Sequence, residues 1–257
     1  MSESEYFYYG QGKLSVAIRN SLAGTIGLYQ YAGDVSTLTL KPTVEMIKHR
    51  ESNSGQNSLV RNIAHTRDLN IDITFAEFRP SGMARDLYGN NVSVVAGTVT
   101  AETLPDALVA GDEVRLANPA VSAVVITDST GTPATLVEGT DYTVDANFGK
   151  VTILNVGTYV QPFKAAYSYG KRTDTGILTS AQPDIALLYE GVNLAENNAP
   201  VICELYKVAP AVAQEIMLIT TGTDTAGRQV AGAVLLDSLR AANGPLGQFG
   251  RITHVGV

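Results

Sequence analysis

The chain has 257 residues, 45% hydrophobic and 17% charged, with a formal charge of −7 and a pI near 5.0. Such a composition is globular and excludes general disorder. The charge excludes a surface that grips nucleic acid, because phosphate binding rests on Lys and Arg displacing counterions, but not one past which nucleic acid slides. The length suits one large β domain or a core carrying an inserted module. No run approaches the eighteen or so apolar residues of a membrane span. The acidic, aromatic start MSESEYFYYGQG lacks the basic and apolar regions of a signal peptide, so a soluble chain not exported by that route is expected. The single cysteine, Cys203, lies among Val201, Ile202 and Leu205 and reads as a small buried hydrophobe made in a reducing compartment.

In chain order, residues 1–12 form an arm. Tyr6, Phe7, Tyr8 and Tyr9 cannot all hide on one face of a short strand, so the arm either clamps onto its own domain or lies on a neighbouring subunit, where Tyr is a favoured contact residue. Residues 13–19 (KLSVAIR) follow as a strand. The organising stretch is 34–78. In its first limb Leu38, Leu40, Val44 and Met46, with Pro42 in register, alternate with Thr37, Thr39, Lys41, Thr43 and Glu45. In its second limb Leu69, Ile71, Ile73 and Phe75 alternate with Asp68, Asn70, Asp72 and Thr74. A period of two predicts two strands, each with a dry and a wet side. The polar connection between them, roughly fourteen residues, exceeds the two to five usual in hairpins and calls for a partner or a function.

Arg79-Pro80 ends the second strand. The sequence SGMARDLYG then predicts a short helix capped by Ser81 and stopped by a left-handed Gly89. Residues 91–170 change character: short Val/Thr-rich runs separated by turn clusters (Asn118-Pro119, Asp128–Pro133, Glu138–Asp141, Asp145–Gly149) predict an inserted β module, a small sandwich or barrel. The core then resumes over 171–257, completing a discontinuous domain with 1–90. A second strand pair is predicted at 184–192 and 200–208, a further pair turns at Thr223–Gly227, and RITHVGV is a last strand.

Motifs for chemistry are sparse. His49, His65 and His254 are the three histidines, and His49-Arg50-Glu51 lacks a second ligand at metal spacing. Asp128, Asp141, Asp145 and Asp224 sit in Gly/Thr turns, where Asx-turn chemistry accounts for them. Gly10-Gln-Gly12 precedes a strand instead of following one, so it is no dinucleotide fingerprint. Neither a nucleophile elbow nor a paired-carboxylate arrangement appears. No enzyme, metal or cofactor is expected. What remains is a half-wet sheet with long edges, which identical copies arranged in a ring can close.

The run YYGQGKLSVAIRNSLAGTIGLYQYAGDVSTLTLKPTVEMIKHRESNSGQ resembles the N-terminal region of major tail tube proteins of long-tailed bacteriophages, through its G-x-G opening, its Gly-Asp before the first long strand and its polar Ser-Gly loop. SGMARDLYG is similar to the family's short helix, and LLYEGVNLAENNAPVICELYKVAP, VAGAVLLDSL and GQFGRI to its C-terminal half. The resemblance implies a mainly β protein: a β-sandwich or barrel core with one flanking helix, and hexameric rings stacked into a hollow tube whose inner barrel is closed by oligomerisation; the inserted β module then either faces outward or helps to join subunits. It implies that Thr37, Thr39, Lys41, Thr43, Glu45, Asp68, Asn70, Asp72 and Thr74, with Glu190 and Glu204, line the lumen. Lys41, the one cation among them, either pairs with a carboxylate across the strands or marks a register one residue off. The loop bearing Lys48, His49, Arg50, Glu51, Ser52, Asn53, Ser54, Gly55, Gln56 and Arg61 is implied to touch the adjacent ring, and Tyr6, Phe7, Tyr8 and Tyr9 a neighbouring subunit. Implied partners are further copies, a tape-measure protein, a tail terminator, tail-tip or baseplate proteins and DNA in transit, in a virion tail assembled in the host bacterial cytoplasm. Two alternatives stay open: a related ring component (a tail terminator or a secretion-system tube protein) and a non-assembling β-sandwich binding module.

Overall fold

The computed structural model describes residues 7–221, 227–242 and 244–256. Tyr6 and most of the Thr223–Gly227 turn, Asp224 included, lie outside the described residues. The described chain is mainly β, with seventeen strands and one helix. It divides into two compact units, Met1–Asn91 with Thr175–Val257, and Val92–Asp174. The elements run β1 (Gly10–Ile18), β2 (Gln30–Tyr31), β3 (Val35–Arg50), β4 (Leu59–Phe75), α1 (Pro80–Asp86) and β5 (Asn91–Val94). They continue with β6 (Gly97–Thr103), β7 (Glu113–Arg115), β8 (Val121–Thr127), β9 (Tyr142–Asp145), β10 (Lys150–Ile153) and β11 (Lys164–Tyr169). The last are β12 (Arg172–Thr175), β13 (Ile185–Asn193), β14 (Ala199–Pro210), β15 (Glu215–Ile216), β16 (Arg228–Val234) and β17 (Gly250–His254).

The first unit is one nine-stranded sheet in the order β2-β1-β13-β14-β16-β4-β3, with β15 beside β16 and β17 beside β14. Its pairings are antiparallel, and each strand alternates. Leu14 and Val16, Ile185 and Leu187, Cys203 and Leu205, Val230 and Val234, and Ile71, Ile73 and Phe75 all point into a single apolar cluster, joined by Leu38 and Leu40. Because β1 and β3, near opposite ends of the strand order, share that cluster, the sheet must curl around it. The curl does not close: β2 and β3 remain edges among the described strands, so there is no complete barrel. Pro42 fits this placement, since a residue without an N–H is tolerated where no second neighbour needs one.

Helix α1 lies against the sheet through an ion pair. Arg228 of β16 donates from Nε to Asp86 Oδ2 at 2.8 Å with both side chains almost wholly buried, and Arg85 donates to the other oxygen at 2.6 Å. The Arg228 guanidinium also stacks 4.6 Å from the Phe75 ring centre. The helix starts at Pro80, two residues earlier than a Ser81 cap implies. Its N-cap, Arg79, makes no side-chain cap, so Ser81 is not the cap: proline's fixed φ at the first helical position sets the start. The left-handed residue at the other end is Tyr88 (φ 49°), not Gly89. Gly89 is needed for space, because a Cβ there would lie 1.8 Å from the Gly176 carbonyl oxygen.

The second unit carries two three-stranded sheets, β7-β10-β9 and β6-β11-β8. Both sheets feed one core, with Val114, Tyr142 and Val151 from the first meeting Val121, Ile126, Ala165 and Tyr167 from the second. The turn aspartates serve this unit's own backbone. Asp128 accepts from Thr130 Oγ1 and the Ala134 N–H, each at 2.8 Å, and Asp141 accepts from the Val137 N–H at 2.8 Å and Tyr159 Oη at 3.2 Å.

Candidate functional site

The residues expected on the wet side share one surface of the first unit's sheet. Cross-strand partners in β3 and β4 are Thr37 with Thr74, Thr39 with Asp72, Lys41 with Asn70, Thr43 with Asp68 and Glu45 with Thr66, in step with the buried pairs Leu38–Ile73 and Leu40–Ile71. Lys41 forms an ion pair with Asp72, diagonally across the ladder. Glu190 and Glu204 alternate with the core residues Tyr189, Cys203 and Leu205, so they face the same way, with Leu188 opposite Glu204 and Glu190 opposite Ile202.

Two further strands bring cations that the alternation of residues 34–78 does not reveal. Arg251 of β17 grips Glu204 through Nε at 2.8 Å and Nη2 at 3.0 Å, and Lys13 of β1 stands opposite Glu190. The outward face thus sets five carboxylates (Glu45, Asp68, Asp72, Glu190, Glu204) against three cations (Lys13, Lys41, Arg251), amid threonine and asparagine. Between β4 and β14, strand β16 contributes Ala231 and Ala233 beside Asp72 and Asn70. The face is weakly acidic, and Lys41 and Arg251 are each held by a carboxylate.

Beyond Leu40 and Leu69 the hairpin changes. Strand β16 pairs with β4 only from Leu69 to Phe75, so nothing backs the remaining half of β3 and β4. The expected dry side therefore stops short: Val44 and Met46 are 46% and 48% exposed. Pairing also slips by one residue between Glu45 and Met46. The extra residue, His65, lies in β4, so β3 keeps its alternation while β4 exchanges faces beyond it: Ala64 joins Met46 on the inner side, and Ile63 joins Ile47 on the side of Glu45. The result is a projecting two-stranded ribbon, open on both faces and along both edges, with Ile47, Leu59, Val60 and Ile63 exposed.

The ribbon shortens the predicted loop. Lys48, His49 and Arg50 belong to β3 and Arg61 to β4, which leaves residues 51–58 as the connection. That tip has order of its own. Glu51 accepts from Ser54 Oγ and from the Asn53 and Ser54 N–H groups, bonds that hold its carboxyl below the usual range, with the Ser54 hydroxyl the largest cause. Arg50 Nη1 donates to the Asn57 carbonyl at 3.0 Å, while Gly55 and Asn57 take positive φ. Ser52 and Gln56 are exposed. Lys48, Arg61 and Arg67 have no carboxylate within ion-pair reach among the described residues.

The aromatic arm is tied by its backbone to its own unit. The Phe7 N–H donates to Glu196 Oε1, Asn193 Nδ2 donates to the Phe7 carbonyl, and the Tyr9 N–H donates back to Asn193 Oδ1, at 2.7–3.0 Å. The rings of Phe7, Tyr8 and Tyr9 stay 57–64% exposed.

These features define a class before any relative is considered: a mainly β chain with one helix, a polar sheet face, edges open among the described strands and a projecting ribbon. A family model described as "Protein of unknown function UCP028589" matches residues 7–253, and the chain belongs to that family. No curated protein matches it.

Proposed function

We propose that this protein is a structural subunit of a phage-type tail tube, assembling into hexameric rings that stack around a channel for DNA. The carrying observation is the β3–β4 hairpin, which has one half-buried, weakly acidic segment and one projecting segment with bare edges and apolar side chains on both faces. A lone soluble domain gains nothing from such a ribbon, and long unpaired edges invite pairing with other chains. Copies side by side extend the sheet, and the polar face of β3, β4, β13 and β14 becomes the wall of the bore. Carboxylates there repel phosphate, the hydroxyls add no charge to anchor it, and the cations Lys41 and Arg251 are engaged by Asp72 and Glu204, so a polyanion finds little to hold it. The ribbon tip at residues 48–61 meets the next ring. Other tail components, among them a tape-measure protein within the bore, a terminator and tip or baseplate proteins at its ends, complete the assembly in the virion tail, and the second unit lies on the outside.

Negative-stain electron microscopy of the purified chain tests this reading. Rings or tubes with an axial channel are the expected result, and a monodisperse monomer at high concentration overturns it. Single rings that never stack favour a terminator instead.

A further inference from the structure

One end of the curled sheet's inner face is left unfilled. An open groove of about 1050 Å³ lies there between the first halves of β1 and β3, with Leu38, Leu40, Tyr189, Cys203 and Ile252 among its apolar lining. Its walls are strand edges. β1 pairs with β13 along one side, while on the other β2 covers only Ser15 and Val16 and the Ala32 N–H takes the Leu14 carbonyl. From Gly10 to Lys13 that side pairs with no described strand, and β3 pairs with β4 alone. Apolar lining between two open backbone edges has the chemistry of a strand receptor: main-chain groups satisfy the edges and alternate side chains enter the floor.

This chain carries a segment of matching character. After β15 pairs Glu215 and Ile216 with β16, the sequence MLITT continues with Leu218 82% and Ile219 87% exposed. It has no charge and two β-branched threonines, and its five residues span about 17 Å when extended, enough to cover the four open residues Gly10–Lys13 of β1, about 14 Å. It does not lie beside its own groove. β15 sits on the side of β16 away from β4, so β16, β4 and β3 intervene, about 14 Å of sheet at the usual strand spacing.

We propose that Met217–Thr221 of one copy enters the β1–β3 groove of a neighbouring copy as an added strand, closing the neighbour's sheet. Donor and receptor are different surfaces, so the contact runs head to tail and propagates around a ring. The inference shares with the tube reading only the requirement for a second copy.

Cys203, the chain's one cysteine, lies in the receptor groove and reports on its occupant. Full-length Leu218→Cys and Ile219→Cys proteins are oxidised at alkaline pH, because burial, and then the nearby Glu204 carboxylate, push the Cys203 thiol up. One of the two variants should give a ladder of disulfide-linked oligomers on a non-reducing gel and the other far less, since adjacent residues of a strand face opposite sides. Adding Cys203→Ser should abolish the ladder. Both donor positions are exposed, so far-ultraviolet circular dichroism should match the parent. Absence of a ladder from both variants overturns the inference, as does a ladder that survives Cys203→Ser or a disulfide confined to single chains. Rings or tubes without the cross-link remove the strand exchange and leave the tube reading. Cross-linked oligomers that never form rings do the reverse.

Discussion

Placing aspartate on the projecting ribbon, in the double variant Ile47→Asp/Val60→Asp, separates assembly from folding. Six apolar side chains there (Val44, Met46, Ile47, Leu59, Val60 and Ile63) are between 45% and 62% exposed. Full burial of such a side chain contributes about 1.5–3 kcal/mol, so covering the exposed half of each gives roughly 0.8–1.5 kcal/mol apiece, or about 5–9 kcal/mol per ribbon before the costs of association. Two aspartates remove about 2–3 kcal/mol of that and add a desolvation penalty wherever either becomes buried. At about 1.4 kcal/mol per tenfold, the assembly constant should fall at least roughly 30-fold. Neither residue touches the core cluster, so the monomer's melting temperature should move by no more than about 2 °C, as for ordinary surface substitutions. Sedimentation velocity across a concentration series reads the first quantity and calorimetry the second. An unchanged critical concentration with an intact fold refutes the assignment of the ribbon to assembly.

The other expectations concern the bore, the helix anchor and alkaline pH. Asp72→Lys with Glu45→Lys should still permit tubes but slow DNA ejection from virions, because it replaces two carboxylates with free cations on the wall; unaltered ejection kinetics would count against an acidic lumen. Asp86→Ala strands the buried Arg228, whose Nη2 already lacks a partner, and should cost about 3–5 kcal/mol. On a chain of this size that is a fall of about 6–20 °C in the first unit's transition, whereas replacing both partners with Leu and Met should restore most of it. Tyr29, Tyr142, Tyr159, Tyr167 and Tyr189 all have pKa values raised, with desolvation the largest cause. A folded-state pKa above the unfolded value contributes stability that is complete below about 10 and is lost as pH climbs through the raised values. Absorbance at the phenolate band should therefore show part of the twelve tyrosines ionising late and together with unfolding. Simple titration of all twelve near pH 10 contradicts that.

The long hairpin was legible because alternation is a local property: Leu38, Leu40, Ile71 and Ile73 each name their face within two residues. The limits of that face were not. Whether Val44 and Met46 are dry depends on how far β16 runs beside β4, and β16 lies more than 150 residues further along the chain. The slip at Glu45–Met46 is equally silent, since a ladder irregularity needs a partner to exist. Helix ends failed for a related reason. Ser81 has the chemistry of a cap, but Pro80 already fixes φ for the first turn, and Gly89 is explained by the approach of Gly176 and not by a local left-handed turn. Arg251 shows what pairing across the chain adds to composition. RITHVGV reads only as a strand, and its neutralising role on Glu204 follows from pairing with β14.

The polar face and the open groove have a common origin in the strand order. A sheet that began and ended on strands able to pair with each other would close into a barrel, bury its apolar side completely and leave a uniform outer surface. Here β2 covers just two residues of β1, and β3 outruns β4's neighbour by half its length, so both ends of the sheet stop without a partner. Folding stability rests on the alternate set (Leu14, Ile71, Ile73, Phe75, Leu187, Leu205 and Val230), none of which reaches the outward face. The outward residues can therefore vary at little cost to the fold. Exposed pairs such as Lys41–Asp72 contribute at most about 1 kcal/mol. A face that contributes little to folding, next to edges that pair with nothing among the described strands, is the combination that the proposed assembly would use.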